Sequence, residues 1–131
     1  MSRKVLLSFA IVMLCLVGCA STPMLESPRQ ANVPSGVSMA QVEQAILDAM
    51  RARGWSVHDR SRGHIIADLN VRAHFARVDI RYSADSVRLE YVDSDNLDYE
   101  VVDGQQRIHG NFNSWMTNLI RDIERNLSFV G

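Results

Sequence analysis

A two-layer α+β fold, in which a helix before and a helix after an antiparallel sheet of three to five strands pack on one of its faces, is predicted by three features of the sequence. Apolar residues recur at three- and four-residue spacing from Met39 to Met50 and again from Phe112 to Leu127, the period of an amphipathic helix. Between them, from Ile65 to Tyr91, they recur at every second position, the period of a strand with one dry and one wet face. The connections between these alternating runs are too short to hold crossover helices, which excludes a parallel nucleotide-binding sheet.

The chain has 131 residues, enough for one ordinary domain and too few for two substantial ones. Its first 18 residues read as a removable signal: Arg3 and Lys4 give a basic start, and Val5 to Val17 form an apolar run of 13 residues broken only by Ser8. A transmembrane helix needs about 20. The next stretch, Leu16-Val17-Gly18-Cys19, places a minimal side chain before a cysteine. It resembles the lipobox of bacterial lipoproteins. That resemblance implies that Cys19 receives a diacylglycerol, becomes the mature N-terminus and is then N-acylated with a fatty acid such as palmitate. With Cys15 removed in the signal and Cys19 alkylated, no thiol is left for a disulfide, a nucleophile or a metal. By the sorting rule of Gram-negative lipoproteins, Ala20 after the cysteine implies the outer membrane, facing either the periplasm or the cell surface.

Loss of the signal removes Arg3 and Lys4 and leaves 12 basic against 15 acidic side chains, a net charge of −3. A weakly acidic chain without a basic tract does not suit nucleic acid, whose phosphates demand concentrated positive charge. Residues 19–36 hold all three prolines, Pro23, Pro28 and Pro34, among Ser, Thr, Asn and Gln, and read as a flexible linker. The folded domain is then residues 37–131.

Within it, Ser38 and Gln41 have the spacing of a reciprocal helix cap, and Gly54 after Arg51 and Arg53 is a stop signal, so a helix of about 15 residues is expected. Trp55 and Val57 open a short strand, and Ser61-Arg62-Gly63 marks a turn. Ile65, Ala67, Leu69 and Val71 point inward in the next strand, Ala76, Val78, Ile80 and Tyr82 in the one after it, and Val87, Leu89 and Tyr91 in a third. Asp93 to Arg107 reads as a polar connection, with room for a fifth short strand near Leu97 to Val101. The second helix starts near Asn111 or Asn113, either of which suits the cap, and its stripe runs through Phe112, Trp115, Met116, Leu119, Ile123 and Leu127.

The sequence offers little chemistry. His58, His64, His74 and His109 lack metal-ligand spacing and have no cysteine to complete a zinc set, so no metal or other cofactor is expected. Asp93 to Asp98 imitates a calcium loop only in part, since Asp98 stands where glycine is required and Gly104 where glutamate is. No nucleophile elbow, P-loop or dinucleotide fingerprint occurs, so the expectation is a non-catalytic protein. The wet face of the sheet mixes Asp68, Arg72, Arg77, Asp79, Arg81, Arg88 and Glu90. Cross-strand charge pairing that keeps the face soluble is one reading of this pattern. The other is a docking face for an envelope protein or other envelope component, with Arg72, Arg77, Arg81 and Arg88 as directional contacts. Phe75 shares the parity of that face and is the aromatic candidate for an anchor, unless a bend turns it inward. A small-ligand or lipid-binding carrier or inhibitor, with a pocket between helices and sheet, is the alternative, and an envelope hydrolase without a recognisable motif is a further one.

Gly63-x-Ile65-x-Ala67-x-Leu69, Arg72-x-His74-x-Ala76-x-Val78-x-Ile80-x-Tyr82, Asp93-Ser94-x-x-Leu97-x-Tyr99, Ile108-His109 and Asn113-x-Trp115-x-x-Asn118-Leu119-x-x-Asp122-Ile123, together with the signal and lipobox, resemble a group of small uncharacterised lipoproteins of Gram-negative bacteria. Where that group usually has Tyr-Asn-x-Trp, this chain has Phe112-Asn113-x-Trp115. The resemblance implies a class and a location but no activity.

Overall fold

The computed structural model describes residues 22–130. The signal, the lipobox and Cys19 lie outside the described residues. In chain order the elements are β1 (Arg29–Asn32), α1 (Met39–Ala52), β2 (Ser56–Ser61), β3 (His64–Val71), β4 (His74–Tyr82), β5 (Ser86–Asp95), β6 (Glu100–Val102), β7 (Gln105–Arg107) and α2 (Gly110–Ser128). Five strands form an antiparallel sheet in the order β1-β5-β4-β3-β2, and β6 and β7 form a separate two-stranded ribbon. This is the α+β class expected, with one helix N-terminal and one C-terminal to the strands β2–β5.

The first helix forms as its sequence requires. The Ser38 hydroxyl accepts the Gln41 N–H at 3.2 Å and the Gln41 side chain accepts the Ser38 N–H at 2.9 Å, so two otherwise unpaired donors are satisfied together. Val42, Ala45, Ile46, Ala49 and Met50 are buried, and the chain leaves the helix at Gly54 with a φ of +80°.

The strand alternation holds through β3, β4 and β5. Ile65, Ala67, Leu69, Ala76, Val78, Ile80, Tyr82, Val87 and Leu89 are all buried in one core with Val42, Ile46 and Met50 of α1 and Phe112, Met116, Leu119, Ile123 and Leu127 of α2. Both helices therefore cover the same face of the sheet. Gly63 sits in the β2–β3 turn at φ +77°, where an added Cβ would meet the Tyr82 carbonyl oxygen at 3.2 Å and the Met39 methyl at 3.1 Å, so a side chain there would be both strained and crowded.

Four features differ from the sequence expectation. Part of the expected linker belongs to the fold: β1 pairs with the otherwise free edge of β5, and Ala31 is buried. Upstream of it, the Leu25 N–H donates to the Gln106 carbonyl at 2.9 Å, the Ile108 N–H to the Pro23 carbonyl at 3.0 Å, and Met24 bridges to Arg107. These contacts are made by backbone groups, so a segment poor in apolar residues can still be fixed in place. The expected fifth strand is β6, displaced toward the C-terminus and paired with β7 rather than the main sheet; Asp103 and Gly104 turn the ribbon at φ +50° and +75°, the left-handed pair that a tight hairpin uses. Trp55 precedes β2 rather than opening it, and Val57 is exposed on an edge strand. Finally, neither Asn111 nor Asn113 caps α2. His109 does, its Nδ1 accepting the Asn111 N–H at 3.1 Å, while Asn113 is buried one turn into the helix.

Candidate functional site

The face of the sheet opposite the helices is covered by nothing among the described residues, and register decides what it presents. In β4, Phe75, Arg77, Asp79 and Arg81 alternate with the buried residues and point out. Cross-strand pairing then lines up rows at right angles to the strands: Asp68, Arg77 and Asp93; Ile66, Asp79 and Glu90; His64, Arg81 and Arg88. An irregularity in β5 between its pairings with Arg77 and Val78 places Asp93 rather than Val92 opposite Arg77.

These rows differ in how far their charges are already matched. Arg77 donates two hydrogen bonds to the Asp68 carboxylate, at 2.7 and 3.0 Å, and its guanidinium also lies 3.2 Å from His58 Nδ1. The same guanidinium lies over the Phe75 ring, 5.4 Å from its centroid. Hydrogen bonding to Asp68 pushes the Arg77 guanidinium above its ordinary value, so it stays charged throughout. Arg77 and Phe75 are thus half-buried partners of one another, and Asp68 is the carboxylate that fixes them. Asp79 bonds the His64 ring and makes a longer contact of 3.4 Å with Arg81.

The third row is less settled. Arg81 and Arg88 stand directly opposite each other, like charges in a position where opposite charges would stabilise. Among the described residues each has only a same-strand carboxylate in reach, Asp79 at 3.4 Å and Glu90 at 3.7 Å, and their side chains are 65% and 48% exposed. Their guanidinium groups retain donors for a partner's carboxylate or phosphate. Arg72 is not part of this face. It occupies the β3–β4 turn at φ +56°, exposed at the end of the sheet, because the strand parity that would have carried it outward stops at Val71.

A second feature was missed in the sequence. Both tryptophans of the chain, Trp55 and Trp115, line a cleft of about 190 Å³ between the helices and β3, with Leu69, Val71, Arg53 and Asn118. Arg53 at its rim donates to both oxygens of Asp122, at 2.6 and 3.2 Å. These bonds from Arg53 hold the buried Asp122 carboxyl below the usual carboxylate range, against the opposing effect of its burial. In the sequence Trp115 reads as a member of an apolar stripe and, with Asp122, as part of the motif that carries the resemblance; their convergence with Arg53 depends on how the helices lie. Among the described residues, no three His, Cys, Asp or Glu side chains gather into a set that could hold a metal ion, and no helix is long and apolar enough to cross a membrane.

No known protein-family model matches the chain, and no curated protein does.

Proposed function

We propose that this chain is a non-catalytic lipoprotein domain, anchored in the outer membrane through acylated Cys19, that docks on another component of the cell envelope through the uncovered face of its sheet. The anchor rests on the basic start, the 13-residue apolar run and the sequence Leu16-Val17-Gly18-Cys19. The observation that carries the docking reading is the pair Arg81 and Arg88, like charges placed opposite each other on a face that the protein's own helices leave bare. A partner carboxylate or phosphate seated between them relieves that repulsion and accepts directional hydrogen bonds. Phe75, under Arg77, supplies a half-buried aromatic edge to the same face, and Arg72 borders it from the turn.

Two experiments test the reading. Cells fed labelled palmitate should incorporate it into the wild-type chain and not into Cys19→Ala. Crosslinking in intact cells, followed by purification and mass spectrometry, should recover a specific envelope component from wild type that is lost from an Arg81→Glu/Arg88→Glu variant and from Phe75→Asp. Equal recovery from all three, with folding confirmed, would refute the docking face.

The tryptophan cleft favours a second reading, a small-ligand carrier. Its volume lies below the roughly 300–1,000 Å³ typical of sites for drug-sized molecules, so it suits a small group rather than a lipid tail. Native mass spectrometry of the chain purified from its membrane, with a bound small molecule lost in Trp115→Ala, is the result that would favour it.

A further inference from the structure

We infer that the β6–β7 ribbon, with the segment around Met24 laid along it, is the foot on which the domain stands in the lipid headgroup layer; this rests on the acylation of Cys19 proposed above. Among the described residues seven large apolar side chains are exposed, and four of them, Met24, Tyr99, Val101 and Val102, lie on or beside this one small ribbon. The location of the anchor points to what covers them. Thr22 is fixed to the ribbon, its carbonyl accepting from the Arg107 guanidinium at 2.9 Å, and Pro23 and Leu25 are bonded to Ile108 and Gln106. Three peptide units separate Cys19 from Thr22, so their Cα atoms lie within about 11 Å of each other whatever path the chain takes. An acylated Cys19 therefore brings this end of the domain, and no other, to the bilayer.

The arrangement of the valines favours a surrounding medium over a flat partner. Val101 faces the side of Gln106 and Val102 the side of Gln105, so successive exposed valines project from opposite faces of a two-stranded ribbon beside its turn. A protein surface would cover one of them, whereas the interfacial layer of a membrane wraps both. Glu100 and Asp103 flank them, and burying such polar side chains in hydrocarbon is costly, which limits the foot to a shallow seat at the boundary of the acyl chains. The far end of β4 and β5, at Ala84, is then directed away from the bilayer, with the Arg81–Arg88 row toward that end.

The test uses the full chain purified from membranes with its native acyl groups and reconstituted in vesicles of phosphatidylethanolamine and phosphatidylglycerol. Because signal removal and acylation leave no free thiol, a Val102→Cys, Gln105→Cys or Ala84→Cys variant takes a single environment-sensitive fluorophore. The expected result is loss of emission at positions 102 and 105 when the lipids carry a quencher near the headgroup, and no loss at position 84. Equal emission at all three positions would overturn the foot, as would labels at 102 and 105 that are water-exposed on vesicles but shielded in intact cells, which would assign the ribbon to a protein partner. The intact mass of the purified chain reports separately whether Cys19 is acylated, so failure of the anchor and failure of the foot are distinguishable.

Discussion

Replacing Asn113 by alanine should destabilise the domain far more than a helix-surface substitution, because Asn113 clamps the N-terminal segment to α2. Its side-chain oxygen accepts the Glu26 N–H and its side-chain nitrogen donates to the Met24 carbonyl, each at 2.9 Å, and the residue is only 7% exposed. Alanine removes both bonds and leaves a backbone donor and a backbone acceptor without their partner. At about 1–1.5 kcal/mol for each bond lost, the total is roughly 2–3 kcal/mol. For a domain of this size each kcal/mol lowers the melting temperature by about 4–8 °C, so a fall of about 10–20 °C is expected. The assay is thermal and urea unfolding of the chain lacking its signal, with Cys19 replaced by serine, and hydrogen exchange at the Leu25 and Ile108 amides as a local readout. Both amides should exchange slowly in wild type and fast in the variant. A loss below about 0.5 kcal/mol, the range of an ordinary surface change, together with fast exchange in wild type, would show that residues 22–27 are a tether and would refute the reasoning.

Three further outcomes follow from the same contacts. Arg53 holds the Asp122 carboxyl below its ordinary value in the folded chain, so its stabilisation is fully present above the unfolded aspartate pKa of about 4 and is lost as pH falls through the lower folded value. Urea midpoints followed from neutral to acidic pH should show that loss in wild type and a smaller slope in Asp122→Asn. His109→Ala should cost about 1 kcal/mol by removing the α2 cap, while His109→Asp should restore or exceed wild-type stability, since aspartate both caps the helix and suits the positive end of its dipole. Gly63→Ala should lose at least about 1 kcal/mol in denaturant unfolding, because the turn demands a left-handed φ and the added methyl meets the Tyr82 carbonyl.

What the sequence made legible was whatever depends on local spacing. Ser38, Gln41 and Gly54 mark the ends of α1 to within a residue or two, and the parity of β3, β4 and β5 sorts Val78 and Ile80 from Arg77 and Asp79 without knowledge of any partner strand. Pairing that rests on backbone groups was not legible. Nothing in the composition of residues 22–32 says that β5 has an edge to be covered, or that Asn113, nearly 90 positions away, holds the Glu26 amide. The Asp103-Gly104 hairpin carried a readable signal that the surrounding polar residues obscured. For the candidate face, parity correctly placed Phe75, Arg77, Arg81 and Arg88 on one side, but the opposite-charge pair Arg77–Asp68 and the like-charge pair Arg81–Arg88 are consequences of register. Arg72 leaves the face because it sits in the local two-residue turn between Val71 and His74, whereas the convergence of Trp55, Trp115 and Arg53 is set by tertiary packing.

The central claim, that the bare face of the sheet is where this domain meets its partner, is tested most directly by photocrosslinking in living cells with a reactive residue placed at Arg88 on that face and, for comparison, at Ser128 on the helix layer. A discrete adduct from position 88 that is absent at position 128 is the predicted result. Adducts from position 128 with none from position 88 would contradict it and move the docking surface to the helices.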